Sequence, residues 1–149
     1  MTINPELQGR SYRLGDVYSV GRESIRDFAR AVKASHPAHF QPEAAQALGY
    51  ADLLAPPTYA IIVAQRADAL LINDAESGID FSRVVHAEQR FTHHRPIVAG
   101  DELVAELHVD GVRGMGGGAM ITTRAEISTP SGEAVATTVS AILVRGEGQ

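Results

Sequence analysis

Two imidazoles, His36 and His39, flank a proline in the run Ala34-Ser35-His36-Pro37-Ala38-His39. Histidine is the side chain best suited to exchanging a proton near neutral pH. His39 has two readings, as a functional position or as a ring that caps or packs near a helix end. His36 reads as a polar turn residue, structural or facing solvent, that can sit across from His39. His86 and His108 are isolated, and His93-His94 falls in an alternating run that sends one ring inward and the other outward, so the two cannot share a metal. With no His-x-x-x-His pair, no carboxylate cluster and no cysteine, neither a metal site, a thiolate nucleophile nor a disulfide is expected. No cofactor is expected either. There is no Gly-x-Gly-x-x-Gly, and Gly116-Gly117-Gly118 lies in a strand connection that opens no helix.

The 149 residues, 44% hydrophobic and 21% charged, suffice for one sizeable core, so a single domain over 1–149 is expected. A formal net charge of -5 argues against a nucleic-acid partner, since binding to phosphates draws on clustered cations. The stretch Tyr59 to Ile72 is interrupted by Gln65, Arg66 and Asp68, too short and too charged to span a bilayer. The start, Met1-Thr2-Ile3-Asn4-Pro5-Glu6, lacks the basic and apolar regions of a secretory signal, and a cytoplasmic protein is expected.

The elements that must position these residues follow from periodicity. Ile25, Phe28, Ala29 and Val32 mark an amphipathic helix over Arg22 to Ala34, stopped by Pro37. A short helix is predicted from Pro42 to Gly49. A third is predicted from Pro56-Pro57 to about Asn73, apolar on nearly every side, and such a helix must be wrapped by other structure. The period then becomes two. Val85, Ala87, Gln89 and Phe91 alternate against His86, Glu88 and Arg90, and alternating segments follow at Leu103 to Val109, Ala119 to Ile127 and Ala134 to Val144. An early strand is expected at Val17 to Val20, and Gly114 to Gly118 reads as a flexible turn. The class is α+β. An antiparallel sheet of about five strands curled around one long central helix buries both apolar surfaces together, which is the hot-dog arrangement.

Three segments carry a family resemblance: Gly21-Arg22-Glu23 with the helix after it, Leu54-Ala55-Pro56-Pro57-Thr58, and Arg95-Pro96-Ile97-Val98-Ala99-Gly100-Asp101. Together they resemble the MaoC-type hot-dog dehydratases over roughly Tyr12 to Val144, and most closely the actinobacterial subunits of (3R)-hydroxyacyl-ACP dehydratase. Active members carry Asp-x-Asn-Pro-x-His after the first helix. Aligned on Pro37, the resemblance makes His39 the counterpart of the catalytic histidine, puts His36 in place of the asparagine and leaves Ala34 where the aspartate belongs. Asp27, on the solvated side of its helix, is a poor substitute. The family's His-Gly pair at the start of the central helix corresponds to Pro56-Pro57, and proline has no N–H to offer a thioester oxygen. The amides of Thr58 and Tyr59 are the expected replacements, with the positive helix end behind them.

The resemblance implies a subunit of a (3R)-hydroxyacyl-thioester dehydratase or enoyl hydratase of fatty-acid metabolism. On this reading it binds an acyl-ACP or acyl-CoA through Tyr59, Ile62 and Val63 and pairs with a partner bearing the complete Asp/His dyad. Joining two sheets side by side buries an edge, so a dimer is expected, a heterodimer by preference, with a homodimer as the alternative. A self-sufficient (R)-specific hydratase using His39, helped by His36 or Tyr59, is the competing reading, and an acyl-thioester-binding module without chemistry is the third. A thioesterase fits less well, because the only carboxylate of the central helix, Asp68, comes late in it. Arg22, Arg26, Arg30 and Lys33 share one arc of the first helix. They form either a solvated face or a docking stripe for an acidic carrier protein.

Overall fold

The computed structural model describes residues 3–146. Strands β1 (Ser11–Arg13) and β2 (Tyr18–Ser19) lead into helices α1 (Arg22–Ala31), α2 (Pro42–Ala47) and α3 (Ile61–Ile72). Four longer strands follow: β3 (Val84–His93), β4 (Glu102–Met115), β5 (Gly118–Ser128) and β6 (Ala134–Val144). The sheet is antiparallel and six-stranded in the order β1-β4-β5-β6-β3, with β2 also on β4. The class and wrapped-helix arrangement are those expected, and β1, too short to show a period, is the added strand.

Helix α3 lies against the inner sheet face. Val63, Ala64, Ala67 and Leu71 are buried along the side that meets β4 and β5, and the alanines allow close approach. Burying the Val63 and Leu71 side chains contributes on the order of 1.5–3 kcal/mol each. Their sheet partners are the inward residues of β4 and β5, among them Leu107, Val109, Ile121 and Ile127. No helix among the described residues is long and apolar enough to cross a membrane.

Several boundaries depart from expectation, and four of them have a clear physical cause. Helix α1 stops at Ala31 rather than Ala34: Lys33 takes a left-handed φ of 60°, and the Ala34 amide donates back to Ala29 O at 2.8 Å. Helix α3 starts at Ile61 because a turn over 57–60 intervenes, closed by the Tyr59 amide on Pro56 O at 3.0 Å. Strand β4 continues to Met115 through a bulge between Val109 and Gly111, and this bulge ends the strict alternation that sequence reading depends on. The glycine patch is a tight turn, with Gly116 and Gly117 at φ 52° and 89°, as a two-residue hairpin requires.

A second bulge has chemical consequences. His86 pairs with Ile142 but Glu88 pairs with Ala141, so Ala87 is the extra residue and the phase of β3 reverses across it. Residues directly opposite share a face. Val84 and His86, opposite the buried Val144 and Ile142, therefore face inward together with Gln89 and Phe91, while Val85, expected inside, is exposed.

Candidate functional site

After α1, Pro37–His39 form a single 3-10 turn. Its cap is His36, whose Nδ1 accepts from the Ala38 amide at 3.0 Å, so Nε2 carries that ring's hydrogen. The next contact sets His39. The Leu54 amide donates to Ala38 O at 3.0 Å, and His39 Nδ1 lies 2.6 Å from Leu54 O. A carbonyl only accepts, so Nδ1 is the donor and Nε2 of the neutral ring is left with its lone pair. His39 is 7% exposed, and its ring centroid is 6.2 Å from that of His36. Leu54 O is the hydrogen-bond partner of the His39 ring, and Ala34, half-buried, supplies no carboxylate.

Leu54 is itself held from two sides. It bridges to Val98, flanked by hydrogen bonds from the Ala55 amide to Ile97 O and from the Ala99 amide to Leu53 O, both 2.9 Å. The 95–101 loop is closed by a bidentate pair, Arg95 Nη1 and Nη2 to Asp101 at 2.9 and 3.1 Å, and Asp101 also accepts from the Val98 amide. On the other side Arg22 makes a second bidentate pair with Asp52, whose Oδ1 accepts from the Leu53 amide at 2.7 Å. Those hydrogen bonds hold the Asp52 carboxyl below its ordinary range, with Arg22 the largest cause. The three segments that carried the family resemblance thus converge on Leu53–Ala55 and through it on His39.

The cationic arc of α1 is engaged rather than open. Arg22 is on Asp52, Arg26 on Phe40 O and Glu23, and Arg30 on Asp27 and over the Phe40 ring, while Lys33 is exposed in the left-handed turn just after the Val32 cap. Three of its four members knit α1 to its surroundings.

At the start of α3 the exposed Pro57 offers no amide, and Tyr59's is committed to Pro56 O. That corrects the expectation of two free donors: Thr58, exposed, is the member of the pair left without a backbone partner among the described residues. The Tyr59 side chain is fully buried. Its hydroxyl closes a triangle with Ser24 at 2.8 Å and Tyr18 at 3.1 Å, its ring meets Phe28 edge-on at 5.5 Å, and Arg66 stacks on Tyr18. Burial pushes its pKa well up, so it stays a neutral phenol. Val63 is buried against the sheet and Ile62 is half-buried. The triangle joins residues from three separate stretches, and nothing local in the sequence marks it.

A cavity of about 560 Å³ opens toward the other end of α3, between Asp68, Ala69 and Ile72 on the helix and Val84, His86 and Ile142 on the sheet. Phe81, 71% exposed, stands at its margin. Asp68 is 8% exposed and accepts from Thr123 Oγ1 at 2.8 Å, and burial raises its pKa. In the sequence this aspartate is a charged interruption late in an apolar helix. Its phase marks it as internal, since it shares the buried side with Ala64, Ala67 and Leu71. No group of three or more metal-ligating side chains occurs among the described residues.

A helix wrapped by a single antiparallel sheet, with a histidine pinned to the segment that leads toward that helix, defines the class as a hot-dog protein of the hydratase and dehydratase kind. Residues 6–138 match the family described as FAS1-like, dehydratase domain region. A UPF0336 protein of Clavibacter michiganensis is 50% identical over 147 residues, covering 99% of both chains. A chain of the C-terminally truncated HadBC (3R-hydroxyacyl-ACP dehydratase) complex of Mycobacterium tuberculosis superimposes with a TM-score of 0.84 at 36% identity, covering 92% of this chain and 96% of that one. A MaoC-like dehydratase gives 0.85 at 33% identity, with this chain spanning 42% of its length. The protein belongs to the FAS1-like dehydratase-domain family of MaoC-like hot-dog proteins.

Proposed function

We propose that this chain is the acyl-binding, non-catalytic subunit of a (3R)-hydroxyacyl-thioester dehydratase or enoyl hydratase, acting beside a hot-dog partner that carries the complete dyad. The observation that carries the reading is the cavity of about 560 Å³, within the usual range for ligand sites, placed at a chain end of the helix away from the incomplete dyad. Strand β3, which walls it, ends the sheet. Antiparallel pairing of that edge with the same edge of a partner sets the two central helices antiparallel, so the cavity lies next to the start of the partner's helix. An acyl chain held here presents its thioester to the partner's Asp and His. The similarity to a chain of the HadBC complex supports the pairing.

Reversible dehydration needs a base at C2, an acid for the C3 hydroxyl and donors for the thioester oxygen. This chain offers one imidazole and a proline-blocked helix entrance, which suits binding better than turnover. Co-expression with a MaoC-type partner bearing Asp-x-Asn-Pro-x-His tests it: the pair should co-purify and hydrate crotonyl-CoA, and the partner's dyad, not His39, should govern the rate. A second reading is favoured by one observation, the lone pair left on His39 Nε2, which is a competent base for self-sufficient hydration. Turnover by the chain alone that vanishes in His39→Ala would establish that reading instead.

A further inference from the structure

Thr123, Ser140 and Gln89 lie directly opposite one another on β5, β6 and β3, so their side chains form one polar row across the inner face. Asp68 meets this row from the helix above. Thr123 Oγ1 donates to Asp68 Oδ1 at 2.8 Å, the Ser140 hydroxyl bears on the same carboxyl, and Ser140 Oγ donates to Gln89 Oε1 at 2.7 Å.

A hydroxyl has one hydrogen. While Ser140 gives its hydrogen to Gln89 it can serve Asp68 only as an acceptor, which suits the protonated carboxyl. If Asp68 ionises, Ser140 turns its hydrogen to the carboxylate and the Gln89 amide rotates to present its NH2 to Ser140. The two arrangements differ by one proton and one amide rotation; burial, the largest influence, favours the neutral one, and the hydrogen bonds from Thr123 and Ser140 favour the charged one.

We propose that Asp68 is a specificity-determining residue of the cavity: as a neutral acid it leaves the wall uncharged and admits an aliphatic chain, and as a carboxylate it shuts the chain out. The inference rests on the reading of the cavity as the acyl pocket. A chain lying over Asp68 removes its remaining contact with water, which disfavours the carboxylate further and links binding to retention of the proton. The groups facing Asp68 are few. β5 and β6 present the uncharged Thr123 and Ser140, β3 presents His86, which acts on Asp68 through its charge, and Arg66 of α3 is turned onto Tyr18.

Calorimetric titration of the purified protein, in the assembly it natively forms, with dodecanoyl-CoA and crotonyl-CoA between about pH 5.5 and 9 tests this. For dodecanoyl-CoA, Kd should rise by up to about tenfold per pH unit above the Asp68 titration in the wild type and in His86→Gln, and stay flat in Asp68→Asn. Crotonyl-CoA, too short to fill the cavity, should not distinguish wild type from Asp68→Asn. Equal pH profiles of dodecanoyl-CoA binding in wild type and Asp68→Asn would overturn the inference. Dodecanoyl-CoA binding no tighter than crotonyl-CoA at every pH would instead overturn the acyl-pocket reading beneath it. A pH titration by NMR needs neither variant nor ligand: the Gln89 side-chain amide resonances should move with the Asp68 carboxyl carbon, and their constancy through that titration would refute the row as a linked unit.

Discussion

The ring of His39 donates from Nδ1 to the carbonyl oxygen of Leu54 at 2.6 Å, and the Leu54 amide returns a hydrogen bond to Ala38 in the same turn. This reciprocal contact fixes ring orientation and tautomer without a charged partner. A carbonyl orients an imidazole but exchanges no proton, so the contact positions the ring without giving it an acid–base partner.

Leu54 owes its position to the 95–101 loop, so disturbing the Arg95–Asp101 pair should be felt at His39. Replacing Asp101 with Asn removes a carboxylate that accepts from both guanidinium nitrogens and from the Val98 amide. The group is largely shielded, at 14% side-chain exposure against 25% for Arg95. Asp101→Asn should lower stability by about 1–3 kcal/mol in urea unfolding. The His39 ring resonances should shift in the folded protein, which a purely remote loosening would not produce.

The buried Asp68 gives a pH dependence of definite sign. Its folded pKa is raised above the unfolded value, so the folded state holds the proton more tightly and the associated stability is fully present at low pH. It is lost as pH rises from the unfolded carboxyl range, about 3.9, through the raised folded value. Asp52, Asp74 and Asp80 are lowered and act in the opposite sense, so the wild-type curve alone mixes signs. Subtracting the unfolding free energy of Asp68→Asn from that of wild type at each pH isolates the residue. The difference should fall with rising pH, and a rise would contradict the burial argument.

Helix α1 and the three long strands β4, β5 and β6 were legible because amphipathic period and burial agree along most of their length. What escaped was whatever a single inserted residue or a long-range contact decides. The bulge at Ala87 carries no sequence mark, yet it moves His86 from the outer face into the cavity and puts Val85 outside. Pro56-Pro57 read as the first turn of α3, a common place for proline, but the Tyr59 amide closes a separate turn on Pro56 first. The Tyr18–Ser24–Tyr59 triangle and the Asp68 row depend on which residues the fold brings face to face. Likewise, the arginines of α1 were visible as an arc, while their engagement by Asp52, Phe40 and Glu23 required the tertiary structure.

Gly118 opens β5 where the hairpin runs against the end of β6. A Cβ added there would collide with the Val144 carbonyl oxygen, and backbone cannot swing aside as a side chain does. Gly118→Ala should therefore cost about 1–3 kcal/mol, read as a lowered Tm. Gly114→Ala meets no heavy atom within 4 Å and serves as the control, with little change expected.

Supplying a carboxylate at position 34 tests the proposed non-catalytic role and separates the two departures from the family pattern, Ala34 and Pro57. Ala34→Asp returns the carboxylate that the family resemblance places there, and general acid–base catalysis is worth about 10²–10⁴-fold when the group is positioned. Pro57 still withholds an amide at the helix entrance, and loss of one such donor costs about 10²–10³-fold elsewhere. With Tyr59's amide closed onto Pro56, Thr58 is the one of the two expected donors that remains to assist. Ala34→Asp alone should therefore give crotonyl-CoA hydration barely above background, and Ala34→Asp with Pro57→Gly should exceed it by at least tenfold. His39→Ala in the double variant should abolish the gain. If the single substitution already gives the full rate, the helix entrance is competent with proline, and the carboxylate was the only element lacking.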